Sequence, residues 1–258
     1  MSGEPRPGEL GGEIRMLSLA GLPQVQAGDD LASLLRAAAE QASLRFAGGV
    51  LVVCQKVVSK AEGRIAPLAG VEPSAEARRI AAEDGKDPRQ VELILRETTR
   101  VVRRGHGVMI CQTRHGFVCA NAGVDLSNAP GPDVAVLLPL DPDASAAALR
   151  DALLAAGAGP LAVIVSDTFG RPWREGLVDV AIGCAGIAPI DDQRGSADWT
   201  GRRLQVTATA TADQLAAAAG LLMRKDAGVA AVWIEGFTPR GEGELRQILR
   251  APETDLFR

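Results

Sequence analysis

The sequence is short of the residues that most metal and disulfide chemistry needs. Its four cysteines, Cys54, Cys111, Cys119 and Cys184, include no CxxC pair. Each lies in or beside an apolar run, so they read as reduced core thiols rather than a disulfide framework. The only histidines are His106 and His115, nine positions apart. A zinc site of the usual kind would lack ligands, so any metal used here must be a hard one held by oxygen. No apolar run approaches the roughly 18–20 residues of a membrane helix. The start, "MSGEPRPGELGGE", has no basic-then-apolar signal pattern; residues 1–13 read as a short disordered lead. Lys and Arg are scattered and the net charge is −4, which leaves no basic stripe for nucleic acid. There is no GxxxxGK[ST], and no GxGxxG after a strand, so a nucleotide would be bound without a P-loop. These absences leave a soluble, cytoplasmic protein of 258 residues, long enough for a large core.

The residues that are present alternate between strand-like and helix-like runs. "MLSLA" (16–20), "GGVLVVC" (48–54), "LAVIVSD" (161–167) and "GVAAVWIEG" read as strands. The leucines of "DDLASLLRAAAEQASL" and of "ASAAALRDALLAAG" predict helices, the second stopped by Gly157. Two more helices are predicted from about Ser74 and about Pro88, the latter with proline at a first helical position. "TADQLAAAAGLLMRK" opens on a capping-box pattern from Thr211 to Gln214, and "GELRQILR" reads as a short last helix. The short strands "TRVVRR", "GVMICQT" and "GFVCA" follow one another, and "RLQVTATA" continues the β pattern. The order is mixed α and β; the consecutive strands argue against a simple doubly wound sheet. No internal repeat and no separating linker is visible.

Three predicted strand exits carry polar residues. "CANAGVDLSN" (119–128) sets Asn121, Asp125, Ser127 and Asn128 around Gly123. Such residues can aim several oxygens at Mg²⁺, Mn²⁺ or phosphate, although an Asx-rich turn uses the same residue types. Ser166-Asp167-Thr168 ends an apolar strand, with Arg171 and Arg174 just beyond; two aspartates are the usual minimum for holding Mg²⁺ against a nucleotide, and arginines can grip carboxylates. "QKVVSK" places Lys56 and Lys60 four apart in a polar exit, where either could meet a phosphate as a point charge.

Taken in order, "GLPQVQAGDDL", "VLVVCQKVVSKAEGR", "HGFVCANAGVDLSN", "LLPLDPD" and "SDTFGRPWREG" resemble the coenzyme F420-0:L-glutamate ligase family, from about Ile14 to Arg258. "NAGVDLSN" and "SDTFGRPWR" are the specific signatures. The resemblance implies a family-specific α/β fold (mixed α+β) assembled as an intertwined homodimer. It implies one ligase domain over 14–258, without the C-terminal flavin-binding domain of some bacterial members. It further implies a GTP-dependent amide ligase that phosphorylates the terminal carboxylate of F420-0, lets the amine of L-glutamate displace phosphate, and adds further glutamates through γ-linkages. Two divalent ions (Mg²⁺ or Mn²⁺) and a helper K⁺ belong to the same implication.

Matched position by position, Asp125 and Asp167 correspond to ligands of the first metal and Thr168 to a ligand of the second. Leu22, Pro23, Gln24, Val25, Gln55, Lys56, Lys60 and Asn128 correspond to GTP contacts, and Gly123 is expected to let the backbone come close. The chain departs from the family after the "LLM" helix, where it reads Arg224-Lys225 instead of glycine followed often by Gln, Glu or Lys. Lys225 cannot ligate a metal, because an ammonium has no lone pair to give. The alternative chemistries are an Mg²⁺-dependent phosphohydrolase or phosphotransferase, for which "SDT" supplies only one acid, and a degenerate module that binds nucleotide or deazaflavin without turnover.

Overall fold

The computed structural model describes residues 12–256; the expected lead over 1–13 lies almost wholly outside them. In chain order, β1 (Arg15–Ser18) precedes α1 (Leu31–Gln41), whose N-cap Asp30 accepts a hydrogen bond from Ser33 N. β2 (Gly49–Cys54) is buried and runs directly into α2 (Gln55–Ala61). After β3 (Ile65–Pro67), α3 (Ala75–Asp84) starts behind cap Ser74 and stops at Gly85 in a left-handed turn. α4 (Pro88–Arg96) has Asp87 as cap and Pro88 at its first position, as predicted. The strands β4 (Thr98–Gly105), β5 (Val108–Thr113) and β6 (Val118–Ala120) form an antiparallel meander, and β7 (Val134–Val136) pairs with β3. α5 (Pro142–Ala155) leads to the long hairpin of β8 (Leu161–Arg171) and β9 (Arg174–Ala185). A two-residue pair, β10 (Asp191–Asp192) and β11 (Ala208–Thr209), precedes α6 (Thr211–Gly220) and β12 (Ala231–Glu235).

Several local expectations are corrected. The "polar exit" after β2 is a helix. β8 does not end at Asp167 but continues to Arg171, because β9 pairs with it that far. Thr211 does not form a capping box: its hydroxyl donates to Thr209 O, and Gln214 N bonds to Ala210 O. Of "RLQVTATA" only Ala208–Thr209 is strand, and the last helix is a single 3₁₀ turn, Leu245–Ile248.

The main sheet has the order β1-β12-β2-β8-β9. β2 and β8 are parallel, and β12 runs antiparallel to both β1 and β2. β1, β2 and β8 therefore all point one way and finish on the same edge. The central strands are buried from Val50 to Val53 and from Leu161 to Ser166, and α1, α5 and α6 supply Leu35, Leu153 and Ala216 to the same core. A second core gathers α3, α4 and the central meander strand β5 around Ile80, Ile94, Met109 and Cys111.

The two cores are tied by polar links. Arg64 donates from Nε to Leu138 O and from Nη2 to Glu97, which also accepts from Arg114. Glu97 is buried, so removing it would leave Arg64 without its counter-charge. Glu97→Ala is expected to cost on the order of 3 kcal/mol in a denaturant titration; a change under about 0.5 kcal/mol would mean that the link is incidental.

Candidate functional site

The shared edge of β1, β2 and β8 is where the chemistry-bearing residues gather. In parallel sheets the carboxyl ends of strands are where loops leave room for ligands. Cys54 pairs with Ser166, so α2 and the second half of β8 leave the sheet side by side. Cys54 N bonds to Ala230 O and Leu19 N to Ala231 O. The loop over 221–230 therefore reaches the same edge, as does the irregular segment after β1.

Lys56, in the first turn of α2, is turned inward with 11% of its side chain exposed. Its ammonium lies 2.8 Å from Asp125 Oδ2 and donates to Ser127 Oγ at 3.0 Å. The Ser127 hydroxyl and main-chain N–H in turn donate to the two oxygens of Asp125, at 2.9 and 2.7 Å. Asp125 is held in place by a main-chain bridge to Val136. Burial works against its charge, but the Lys56 and Ser127 hydrogen bonds outweigh this and keep its carboxyl below the usual range. For Lys56 burial likewise opposes the charge, and Asp125 outweighs it, raising the ammonium's pKa.

Asp167 differs. It is half-buried, and no side chain among the described residues donates to it. Burial, chiefly, pushes its carboxyl up to about 7; the Thr168 N–H and Lys56 oppose, while the charges of Asp125 and Asp179 add to the rise. The neighbouring Thr168 hydroxyl donates to Asp179 Oδ1 at 2.7 Å. Lys60, one turn along from Lys56, is buried, and burial and Lys56 lower its pKa. Its ammonium has no hydrogen bond or ion pair among the described residues, so it is a cation in want of an anion.

This donor set suits a hard divalent cation. Asp125, Asp167 and Thr168 offer oxygen only, and two carboxylates on one edge disfavour each other's charge until a cation neutralises them. Among the described residues no group of three His, Cys, Asp or Glu is placed to hold a metal alone. A cation held by the two carboxylates keeps positions for water or phosphate oxygens, as Mg²⁺ commonly does, and Thr168 offers its oxygen to a second.

The remaining predicted residues are placed as follows. Leu22 is half-buried against the main core, Val25 is buried, and Pro23 and Gln24 are exposed. Gly28 N, three residues on from Val25, bonds to Ala61 O and fixes this segment to the far end of α2. Gln55 is fully buried, with Oε1 accepting from Ser59 and Nε2 left without a partner, so its side chain faces away from solvent. Asn128 is exposed, with φ +54°. Gly123 is accounted for on the core side: its φ is +73° and a Cβ there would meet Leu138 at 2.6 Å. Arg171 and Arg174 are not brought to the carboxylates. They flank the hairpin tip, about 13 Å along the strand from Asp167 in the case of Arg171, where Arg171 donates to Glu175 O and Gly176 O. Arg224 pairs with Asp226 at 2.9 Å, both exposed, and its backbone does not take the positive φ that would call for glycine.

One residue was missed in the sequence. Asp179 had a signal, as the single acid within the apolar alternation of "LVDVAIG". Ser127, singled out as an oxygen donor, proves to hold Asp125 instead, in the local hydrogen-bonding turn that Asp with Ser two positions on commonly forms. All four cysteines are free, and burial raises their thiols, Cys54 to about 11 and Cys119 and Cys184 to about 12; none is a ready thiolate at neutral pH. Among the described residues no helix is long and apolar enough to cross a membrane.

A family model described as F420-0:Gamma-glutamyl ligase matches residues 21–236 of the chain. The coenzyme F420:L-glutamate ligase of Methanothermobacter thermautotrophicus is 46% identical over 250 residues, covering 95% of this chain and 99% of the relative. That of Methanopyrus kandleri is 47% identical over 241 residues, covering 91% and 94%. That of Haloarcula marismortui is 41% identical over 253 residues, covering 95% and 96%.

Proposed function

This chain belongs to the F420-0:gamma-glutamyl ligase family, and on that premise we propose that it is a GTP-dependent ligase joining L-glutamate to F420-0 in coenzyme F420 biosynthesis. The γ-phosphoryl group of GTP passes to the terminal carboxylate of F420-0, giving an acyl phosphate and GDP. The glutamate amine then attacks the acyl carbon, phosphate leaves, and an amide bond forms; later rounds lengthen the chain through γ-linkages.

The observation that carries the reading is the pairing of buried cations and carboxylates on one sheet edge. Phosphoryl transfer asks chiefly for positioning and charge neutralisation. Asp125, Asp167 and Thr168 would hold the divalent ions, Mg²⁺ or Mn²⁺, with K⁺ as a helper ion. When bound, these ions neutralise the phosphates. Lys56, released from Asp125, and the unpaired Lys60 then face phosphate oxygens as donors, while Leu22 to Val25, the main chain at Gln55 and Asn128 border the nucleotide. An apolar hollow of about 210 Å³ lined by Phe117, Phe169, Val180 and Leu249 starts two residues along β8 from Asp167, which supports an aromatic acceptor lying beside the carboxylates. Trp173 and Leu177, exposed at the β8–β9 tip, offer apolar surface for a homodimer.

The discriminating assay is GDP release with one substrate omitted at a time. A ligase needs F420-0 and L-glutamate together for sustained turnover, whereas GDP formed equally well without either would contradict the reading. Lys60→Ala gives a second check. Loss of a charge-assisted phosphate contact is expected to weaken GTP by roughly 10–100-fold, leave glutamate KM nearly unchanged, and not lower the melting temperature, since the ammonium has no internal partner. Equal losses for GTP and glutamate would remove Lys60 from the nucleotide site.

A further inference from the structure

The Thr168 hydroxyl has one proton, and at 2.7 Å it is given to Asp179 Oδ1. β8 and β9 are in register here, with Thr168 opposite Asp179, so the pair is set by the ladder and not by a flexible loop. The other oxygen of Asp179 is confined as well. A Cβ built on Gly220 would fall 2.6 Å from Asp179 Oδ2 and 2.9 Å from its carboxyl carbon. Gly220 closes α6 without a positive φ; alanine would normally be favoured there by up to ~1 kcal/mol. Space, not backbone conformation, is what the glycine provides. Asp179 is thus wedged between the Thr168 hydroxyl and the end of the helix that leads into the 221–230 loop.

We propose that Asp179 is a positioning residue: by accepting the Thr168 hydrogen bond it turns the hydroxyl's lone pairs outward to a divalent cation, and the notch at Gly220 keeps it there. The proposal rests on Thr168 being a ligand of the second divalent cation, beside the first one held by Asp125 and Asp167. Orientation by a hydrogen-bonded neighbour is commonly worth 10–100-fold in metal affinity.

The test is Mn²⁺ binding to the purified protein without substrates, read from the electron paramagnetic resonance signal of free Mn²⁺. Asp179→Ala is expected to weaken Mn²⁺ about tenfold. Asp179→Asn, whose amide oxygen still accepts from Thr168, should stay within about threefold of wild type and so act as the conservative rescue. Gly220→Ala, which pushes the carboxylate aside, should weaken Mn²⁺ while the metal-free melting temperature holds. Thr168→Val sets the floor, and adding Asp179→Ala to it should cost nothing more. Wild-type affinity in Asp179→Ala, an equal loss in Asp179→Asn, or additive losses in the double variant would each overturn the proposal. If Asp179→Ala does not fold, the contrast between Gly220→Ala and Asp179→Asn decides, and wild-type binding by Gly220→Ala then overturns it. Asp167→Asn run in parallel separates the two levels. Lost binding there with full binding in Asp179→Ala defeats this proposal alone; full binding in Asp167→Asn defeats the metal reading and this proposal with it.

Discussion

Asp167→Asn is expected to lower ligase turnover by roughly three orders of magnitude or more, because neutralising a transferring phosphoryl group is worth several kcal/mol. The same variant should not harm the fold. Burial raises the Asp167 carboxyl from 3.8 to about 7, so the folded metal-free protein binds that proton more tightly than the unfolded chain does. The stability this contributes is fully present below about pH 4 and is lost as pH rises toward 7. Asparagine carries no charge to bury, so the metal-free variant should melt no lower than wild type at pH 8, and its advantage should grow between pH 4 and pH 7. Mn²⁺ should raise the melting temperature of wild type but not of Asp167→Asn. A variant that unfolds at pH 8, or that Mn²⁺ still stabilises fully, would show that Asp167 serves the fold and not a cation.

Lys56→Ala should act in the opposite sense on the metal-free protein. It strips Asp125 of a partner at 2.8 Å that is itself mostly buried, and breaking such a pair by removing one member costs more than the pair is worth intact. A loss on the order of 3 kcal/mol is expected in denaturant, partly recovered by Mn²⁺, which would replace the missing positive charge beside Asp125. Turnover should fall by about 100-fold or more even with Mn²⁺ saturating, since a donor to the phosphates is gone. If Mn²⁺ does not restore stability, the ion pair is structural and the cation does not sit against Asp125.

How far the sequence foretold these results varies by element. The helices of 31–41, 75–84, 88–96 and 142–155 were legible because capping residues and apolar spacing agree with one another. α2 was not: seven residues are too few for a periodicity, and it follows β2 with no turn residue between them. That miss made Lys56 and Lys60 look like loop lysines, when both are buried. β8 was cut short at Asp167 because polarity rises there. Its last four residues are strand only because β9, later in the chain, pairs with them, and that is a tertiary fact. The site divides in the same way. Asp125 and Asp167 were singled out locally as oxygen donors, but Lys56 and Asp125 are 69 positions apart, and nothing in a single sequence joins them. The Thr168–Asp179 pair, like the Gly220 notch, needed the β8–β9 register and the packing of α6 to be seen.

The central claim is that this sheet edge couples GTP consumption to amide-bond formation. Its most direct test is mass spectrometry of F420-0 incubated with the protein, GTP, Mn²⁺ or Mg²⁺, and L-glutamate, with GDP measured on the same sample. The account predicts a product heavier by one or more glutamyl units, with one GDP for each unit. GDP released with F420-0 unchanged in mass would point to a phosphohydrolase, and GTP bound but intact would point to a binding module; either result would contradict the account.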